Sequence, residues 1–288
     1  MDYKRRPGID LHIHSTASDG SLTPSEILQL AQKLNLGAIA ITDHDSLEGS
    51  KAAFRAGIPS SIKFLSGVEI SAAYPPFYSR PGSFHLLGYA IRLDDRTLDR
   101  SLSKLRQARK NRNPEILKRL EKLGCPLTLA EVREVVGEGQ LGRPHIARAM
   151  VKKGYVASVD EAFDNFLGTD KPAYVNKYRI DCIQAVHAIT AAGGIPVLAH
   201  PGLLGIDNEN TLKQFIGNLK EIGIRGIEVY YPEHTERQMQ TYAALARHFD
   251  LLITGGTDFH GKMMPEIKLG SGKGNLFVPY ELYEKLIQ

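Results

Sequence analysis

Seven short runs of β-branched and apolar residues, at positions 9–14, 38–42, 63–67, 84–91, 195–199, 226–230 and 251–254, recur along the chain, and helix-like stretches separate most of them. That alternation excludes most folds. Parallel neighbours in a sheet need a crossover of a dozen or more residues, usually a helix, so repeated strand–helix units point to an α/β body with its strands in parallel. The units carry their own punctuation. The helix expected at 24–34 follows a Ser/Thr-rich turn and opens at Pro24, whose fixed φ suits a first helical position. Gly37 then stops it just ahead of the next run.

The alternation fails between residues 98 and 172. Helix-like segments follow one another there, with turn signals at Gly124-Cys125-Pro126, at 137–142 and at 168–172, and with no strand-like run. The expected organisation is a barrel-like body built from residues 1–97 and 173–288, with a helical insertion, 98–172, capping its mouth. A chain of 288 residues has room for one large domain of this kind. The insertion holds 15 Lys and Arg against 10 Asp and Glu, while the whole chain carries a net charge of +4, so the rest is slightly acidic. A solvated helical surface accounts for such an excess; so does a segment that meets an anionic substrate.

No apolar run reaches the ~18 residues that span a bilayer. Residues 1–8 are polar and basic and lack the apolar stretch of a signal peptide. Cys125 and Cys182 are far apart and show no CxxC spacing, which disfavours a disulfide framework or a thiolate zinc site. These features fit a reducing cytoplasm, and nothing in them calls for a membrane or an obligatory protein partner.

The chemistry gathers at the ends of the runs. Asp10-Leu11-His12-Ile13-His14 alternates, which sends His12 and His14 to one face and Leu11 and Ile13 to the other. Asp19 lies in the loop that follows. The second run leads into Thr42-Asp43-His44 and the third into Gly67-Val68-Glu69, while the fourth carries His85. The fifth ends in Ala199-His200-Pro201, and the seventh leads to Thr257-Asp258-Phe259-His260. Six of the ten histidines thus fall on or just after a strand-like run. In a parallel βα barrel those ends meet at one mouth. Imidazole mixed with carboxylate suits zinc, manganese or iron. Two such ions ~3.5–4 Å apart clamp the attacking and leaving oxygens of an in-line displacement. One His-x-His alone is more often an exposed strand pair, and His85 alone a satisfied polar residue. Nine ligand-type residues at one end of six runs point instead to two or three divalent transition-metal ions (Mn, Zn or Fe).

The motifs carry a resemblance. Asp10-Leu11-His12-Ile13-His14-Ser15, Ser18-Asp19-Gly20 and Ile41-Thr42-Asp43-His44-Asp45 resemble the opening of the polymerase-and-histidinol-phosphatase (PHP) family. Ala199-His200-Pro201 and Gly256-Thr257-Asp258-Phe259-His260-Gly261 are similar to its later motifs, so the likeness spans nearly the whole chain. It implies a distorted (β/α)7 TIM-like barrel with a trinuclear metal centre. By the same resemblance, His12, His14, Glu69 and Asp258 hold one metal. Glu69 bridges to a second, bound also by His85 and His200, and Asp19, His44 and His260 hold the third. The proline- and aromatic-rich stretch 74–83 ahead of His85 fits no pattern.

Within the insertion, Leu141-Gly142-Arg143-Pro144-His145-Ile146-Ala147-Arg148 and Lys171-Pro172-Ala173-Tyr174-Val175 resemble a branch that includes nucleoside 3′,5′-bisphosphate phosphatases and short-RNA nucleases. Pro144 suits a first helical position, which would put Arg143 and His145 at a helix N-terminus, where free N–H groups favour phosphate. Arg143 adds bidentate reach. Arg143 and His145 are the expected catalytic pair, with Lys171 and Tyr174 beside them as substrate contacts. The implied reaction is hydrolysis of a phosphate monoester. Its expected substrate is the 3′ phosphate of a nucleoside 3′,5′-bisphosphate such as pAp, together with short oligoribonucleotides taken from the 5′ end. Two alternatives stand beside it: a histidinol-phosphate phosphatase, and a non-catalytic nucleic-acid-binding or regulatory module. His187 and His248 read as structural or solvated, and His234 follows the sixth run at the same mouth.

Overall fold

The protein is described here by a computed structural model over residues 7–78, 84–136, 141–176 and 178–288. Two expectations fall outside those residues: most of the 137–142 turn and the end of the 74–83 stretch. Seven strands form one sheet in sequence order: β1 (Ile9–Ile13), β2 (Ala38–Ile41), β3 (Lys63–Ala72), β4 (Phe84–Tyr89), β5 (Ile195–Leu198), β6 (Gly226–Tyr230) and β7 (Leu252–Gly255). The sheet curls round until the segment after β7 meets β1. His14 N donates to Phe259 O at 2.9 Å and Phe259 N to His12 O at 3.3 Å, which nearly closes a barrel. The helices are α1 (Pro24–Lys33), α2 (Glu48–Ala56), α3 (Arg96–Lys122), α4 (Leu129–Val136), α5 (Arg143–Lys152), α6 (Val159–Ala162), α7 (Cys182–Ala191), α8 (Glu209–Ile222), α9 (Glu236–His248) and α10 (Glu281–Leu286). None is long and apolar enough to cross a membrane among the described residues. Both cysteines are buried and free.

Two local rules expected from the sequence give way. The barrel is not wholly parallel, because β4 runs antiparallel to both β3 and β5. Pairing of Ser71 with His85 puts the start of β4 beside the end of β3. His85 therefore reaches the same mouth from the amino end of its strand. The reversal also lengthens β3, so Glu69 sits within the strand and not just after it. The simple alternation on β1 also fails. Pairing with β2 is irregular between Asp10 and Ile13, a bulge that re-aims the side chains around it. Leu11 packs with Leu87 and Val197, in a cluster floored by Leu282 and Leu286. Ile13 packs with Ile27 and Leu28 of α1.

The helices between β4 and β5 carry an apolar cluster of their own, including Ile116, Leu120, Val132, Ile146, Met150 and Leu167. Helix α3 joins it to the barrel. Its first turns place Leu98, Leu102 and Leu105 in the barrel core, across the boundary expected at residue 98. Each fully buried Leu or Ile stabilises by roughly 1.5–3 kcal/mol. Asp95 caps α3 by accepting from Thr97 N and Leu98 N. Gly142 is the cap of α5, so the helix begins at Arg143 with Pro144 one position later than expected.

Candidate metal centre

Strand ends bring nine side chains together at the mouth, and Glu69 is their hub. One of its oxygens, Oε2, lies 3.2 Å from His14 Nε2, 3.5 Å from His12 Nε2 and 2.8 Å from His44 Nδ1. The other, Oε1, lies 2.8 Å from His85 Nδ1 and 3.0 Å from His200 Nε2. Asp258 Oδ1 approaches His14 Nε2 at 3.0 Å and His12 Nε2 at 3.4 Å. Asp19 closes the other side, 3.4 Å from His260 Nε2 and 3.8 Å from His44 Nε2. Three sets of donor atoms are compact enough to hold an ion each: His14, Asp19, His44 and His260; His12, His14, Glu69 and Asp258; and His44, Glu69 and His85.

Backbone details aim these groups. His200 and Asp258 adopt positive φ of 24° and 54°, a sparsely populated region that an L-residue keeps only when its surroundings enforce it. At Gly256 a Cβ would lie 2.3 Å from His12 N, so only glycine lets the Asp258 loop approach β1. Asp10, buried behind the mouth, accepts from Thr257 N and Oγ1 and from Gly270 N, fixing that loop. Asp43 accepts from Ser15 N, Ser15 Oγ and Ser18 Oγ, which fixes the loop carrying Asp19.

Several of these groups were not found from the sequence. Glu228 on β6 is fully buried. It accepts from the backbone His200 N at 2.7 Å and lies 2.8 Å from His12 Nδ1, which orients the His12 ring and fixes the backbone that carries His200. Its signal was a lone acid inside an apolar run, the sixth, which offered no histidine to draw attention. Tyr231 donates to Asp258 Oδ2 at 3.2 Å.

The donor set fits cations. His12 Nε2, His14 Nε2, His44 Nδ1, Asp19 Oδ1, Glu69 Oε2 and Asp258 Oδ1 are all buried without a hydrogen-bond partner, and all face one another. Burial opposes charge on Glu69, yet His44, His85 and His12 hold its carboxyl well below the usual carboxylate range. Against the same burial penalty, His12 and His260 depress Asp258, and His44 and His260 depress Asp19. Burial also opposes charge on His14, but the carboxylates of Asp258 and Glu69 beside it raise it to about 10. Burial pushes His85 down to about 4. Carboxylates held by imidazolium protons are poised to exchange those protons for metal.

A cavity of about 170 Å³ adjoins the cluster, lined by Asp19, His44 and His85 on one side and by Arg109, Arg112, Arg143 and Phe163 on the other. Arg143 donates to Leu167 O at 2.8 Å, and its guanidinium stacks over the rings of Phe163 and Tyr174. His145 is buried and is not among the residues lining the cavity, with Nδ1 accepting from Gly142 N at 3.1 Å. Tyr174 thus meets Arg143 and does not line the cavity, and Lys171 is exposed and lies outside the lining. His234 has both nitrogens engaged, with Val229 O and Gly202 N, inside the fold.

With this geometry in hand, the profile of the PHP domain matches residues 10–285. The chain belongs to the PHP family. It is 33% identical over 251 residues to a 5′-3′ exoribonuclease of Haemophilus influenzae, covering 87% of this chain and 89% of that protein. It is 32% identical over 253 residues to a 3′,5′-nucleoside bisphosphate phosphatase of Chromobacterium violaceum, covering 88% and 87%. A Bifidobacterium adolescentis protein described as a metal-dependent phosphoesterase superposes with a TM-score of 0.82 at 28% identity, over 98% of this chain and 96% of that one. The chain is therefore a metal-dependent phosphoesterase, a hydrolase with the PHP fold.

Proposed function

We propose that this PHP enzyme removes the 3′ phosphate of nucleoside 3′,5′-bisphosphates and cuts the corresponding bond in short oligoribonucleotides from their 5′ end. The observation that carries the reading is the arginine-lined cavity opening directly onto the carboxylate–imidazole cluster. A substrate with two separated phosphates can place one at the cluster and the other against the guanidinium groups. Histidinol phosphate has a single phosphate and a cationic amine, which the same arginines repel. A purely binding module has no need of a complete ligand-type set, and here all nine positions are filled.

In this reading His12, His14, Glu69 and Asp258 hold one ion, Glu69, His85 and His200 a second, and Asp19, His44 and His260 a third. Bound there, divalent ions supply Lewis acidity toward water and the departing oxygen. The chain's own residues do the rest. Arg143, held by Leu167 O and its two aromatic neighbours, orients the phosphate without having to be ordered at the moment of reaction. Because His145 Nδ1 accepts a backbone N–H, the ring proton of its neutral form sits on Nε2. Burial lowers the His145 pKa, which favours that neutral form. His145 therefore offers a donor to a phosphate or alkoxide oxygen and is not a base. Tyr174 serves the substrate side by bracing Arg143, and Lys171, exposed outside the lining, adds long-range attraction for an anion.

Phosphate release from adenosine 3′,5′-bisphosphate, adenosine 3′-monophosphate and histidinol phosphate, together with release of nucleoside 5′-monophosphate from a 5′-phosphorylated tetraribonucleotide, tests the reading. The bisphosphate is expected to exceed the monophosphate and histidinol phosphate by at least about tenfold in kcat/KM, the value of one charge-assisted contact. Faster turnover of histidinol phosphate would replace this reading with its rival.

A further inference from the structure

Among the described residues, side chains of α3 and α5 make three hydrogen bonds to loops at the barrel mouth. Arg106 Nη1 donates to Asp45 O at 2.9 Å, and Arg109 Nη2 to Asp45 Oδ2 at 2.8 Å. Arg148 donates to Lys262 O. Asp45 follows His44, and Lys262 lies two residues beyond His260. All three bonds therefore land beside members of one donor set, that of His14, Asp19, His44 and His260. The remaining donors are held from within the barrel. His12, Glu69 and His85 lie in strands, Glu228 accepts from His200 N, and Asp10 and Tyr231 fix the Asp258 loop.

Each of these contacts bears on more than its own bond. Asp45 keeps a φ of 53°, which a non-glycine residue holds only where its surroundings enforce it. Asp45 N donates to Glu69 O at 2.8 Å on the barrel side, while the arginines take its carbonyl and carboxylate from the helix side. His44 thus follows a residue clasped between the two. On the other flank, Ser21 N donates to His260 O at 3.1 Å and Lys262 N to Ser21 Oγ at 2.7 Å. That stitch joins the loops of Asp19 and His260, whose side chains lie 3.4 Å apart. Through Lys262, one bond from Arg148 steadies both.

We propose that Arg106 and Arg148 are positioning residues for the ion of Asp19, His44 and His260: the helices complete this site, whereas the barrel alone builds the other two. This rests on the three-ion assignment above. Arg109 also lines the cavity, so Arg106 and Arg148, which do not, isolate the clasp.

The test is equilibrium dialysis against buffered manganese, with ions counted per chain, for wild type, Arg106→Ala, Arg148→Ala, the double variant and Arg148→Lys. Wild type should take up three ions. Losing an outer partner commonly weakens a metal site 10- to 100-fold, and each alanine variant should show that loss for one ion only. The other two should hold within about threefold, with the larger deficit in the double variant. Arg148→Lys keeps a cationic donor for the Lys262 carbonyl and should recover much of the affinity. Three ions bound as tightly in the double variant as in wild type overturn the proposal alone. Equal weakening of all three ions with a lower melting temperature also overturns it, by making the arginines structural. Two ions in wild type would overturn the three-ion assignment and this proposal with it. Dialysis needs no turnover, so an enzyme that leaves the bisphosphate intact would sink the proposed reaction and spare this assignment.

Discussion

Two buried charge clusters face each other across one small cavity, and they are balanced in opposite ways. The cluster at the barrel mouth sets carboxylates against imidazoles, so without metal it neutralises itself with protons: His14 rises to about 10 while Asp19, Glu69 and Asp258 stay ionised. The cluster on the helices sets Arg109, Arg112 and Arg143 together with one carboxylate partner among the described residues, Asp45. One side holds protons that cations can replace; the other keeps an excess of positive charge. Strands carry the first and helices the second. Strand ends in a barrel are pinned by their neighbours, whereas Arg109 and Arg112 depend on the packing of α3 against two different apolar cores, and Arg143 on the start of α5.

The largest expected effect falls on the hub. Glu69→Gln keeps the shape but removes the charge that five imidazoles share. Metal analysis of the purified variant should find fewer ions per chain than in wild type, and kcat should fall by on the order of 10³-fold. Full metal content with nearly normal turnover would remove Glu69 from the centre of the site. On the arginine side, Arg143→Ala should cost about 3 kcal/mol in kcat/KM with metal content unchanged. Parallel loss of metal and activity would instead tie the two clusters into one folding unit and erase the contrast between them.

How well the sequence foretold each cluster follows from the same contrast. The nine mouth residues were legible because strand periodicity and barrel topology converge on one end whatever the details. The reversed β4 shows how robust that is: the expected strand direction was wrong, yet His85 still arrived, from the amino end of its strand. The bulge on β1 likewise moved Leu11 without dislodging His12 or His14. The helix-start signal at Pro144 was off by one residue, and the helix brings Arg143 to the cavity while His145 stays buried outside the lining. Arg109 and Arg112 were not legible, because a basic residue in a basic helix reads as solvated surface, and only their burial in the folded protein reveals otherwise. Glu228 was hidden for a different reason. It touches ligand-type side chains and not the cavity, so its place can be known only once β6 lies beside β5.

Glu228 sharpens the comparison from the mouth side. Glu228→Gln leaves the nine ligand-type residues intact but weakens the groups that orient His12 and His200. Loss of such an outer partner commonly costs 10- to 100-fold in metal affinity or activity. Chelator competition should show a drop in that range, with the preference for bisphosphate over monophosphate unaltered. A changed preference would mean that the mouth, and not the arginine side, selects the substrate.

Lys171 gives the smallest expected effect and the finest test of what burial adds. It carries the same unit charge as Arg112 and belongs to the same stretch of helices, but it is exposed and lies outside the cavity lining. In water its attraction for a phosphate is worth about 1 kcal/mol at contact, and it fades beyond ~10 Å at moderate salt. Lys171→Ala should therefore lower kcat/KM for the bisphosphate by roughly twofold at low ionic strength and by less as salt rises, chiefly through KM. Arg143→Ala, by contrast, should keep its penalty at high salt, because a pair enclosed in the cavity is poorly screened. Two arms of one experiment, salt titrations of the Lys171 and Arg143 variants on the same substrate, then separate steering from contact. A salt-insensitive loss of tenfold or more at Lys171 would place its ammonium on the bound phosphate and extend the anion site from the helices to the rim.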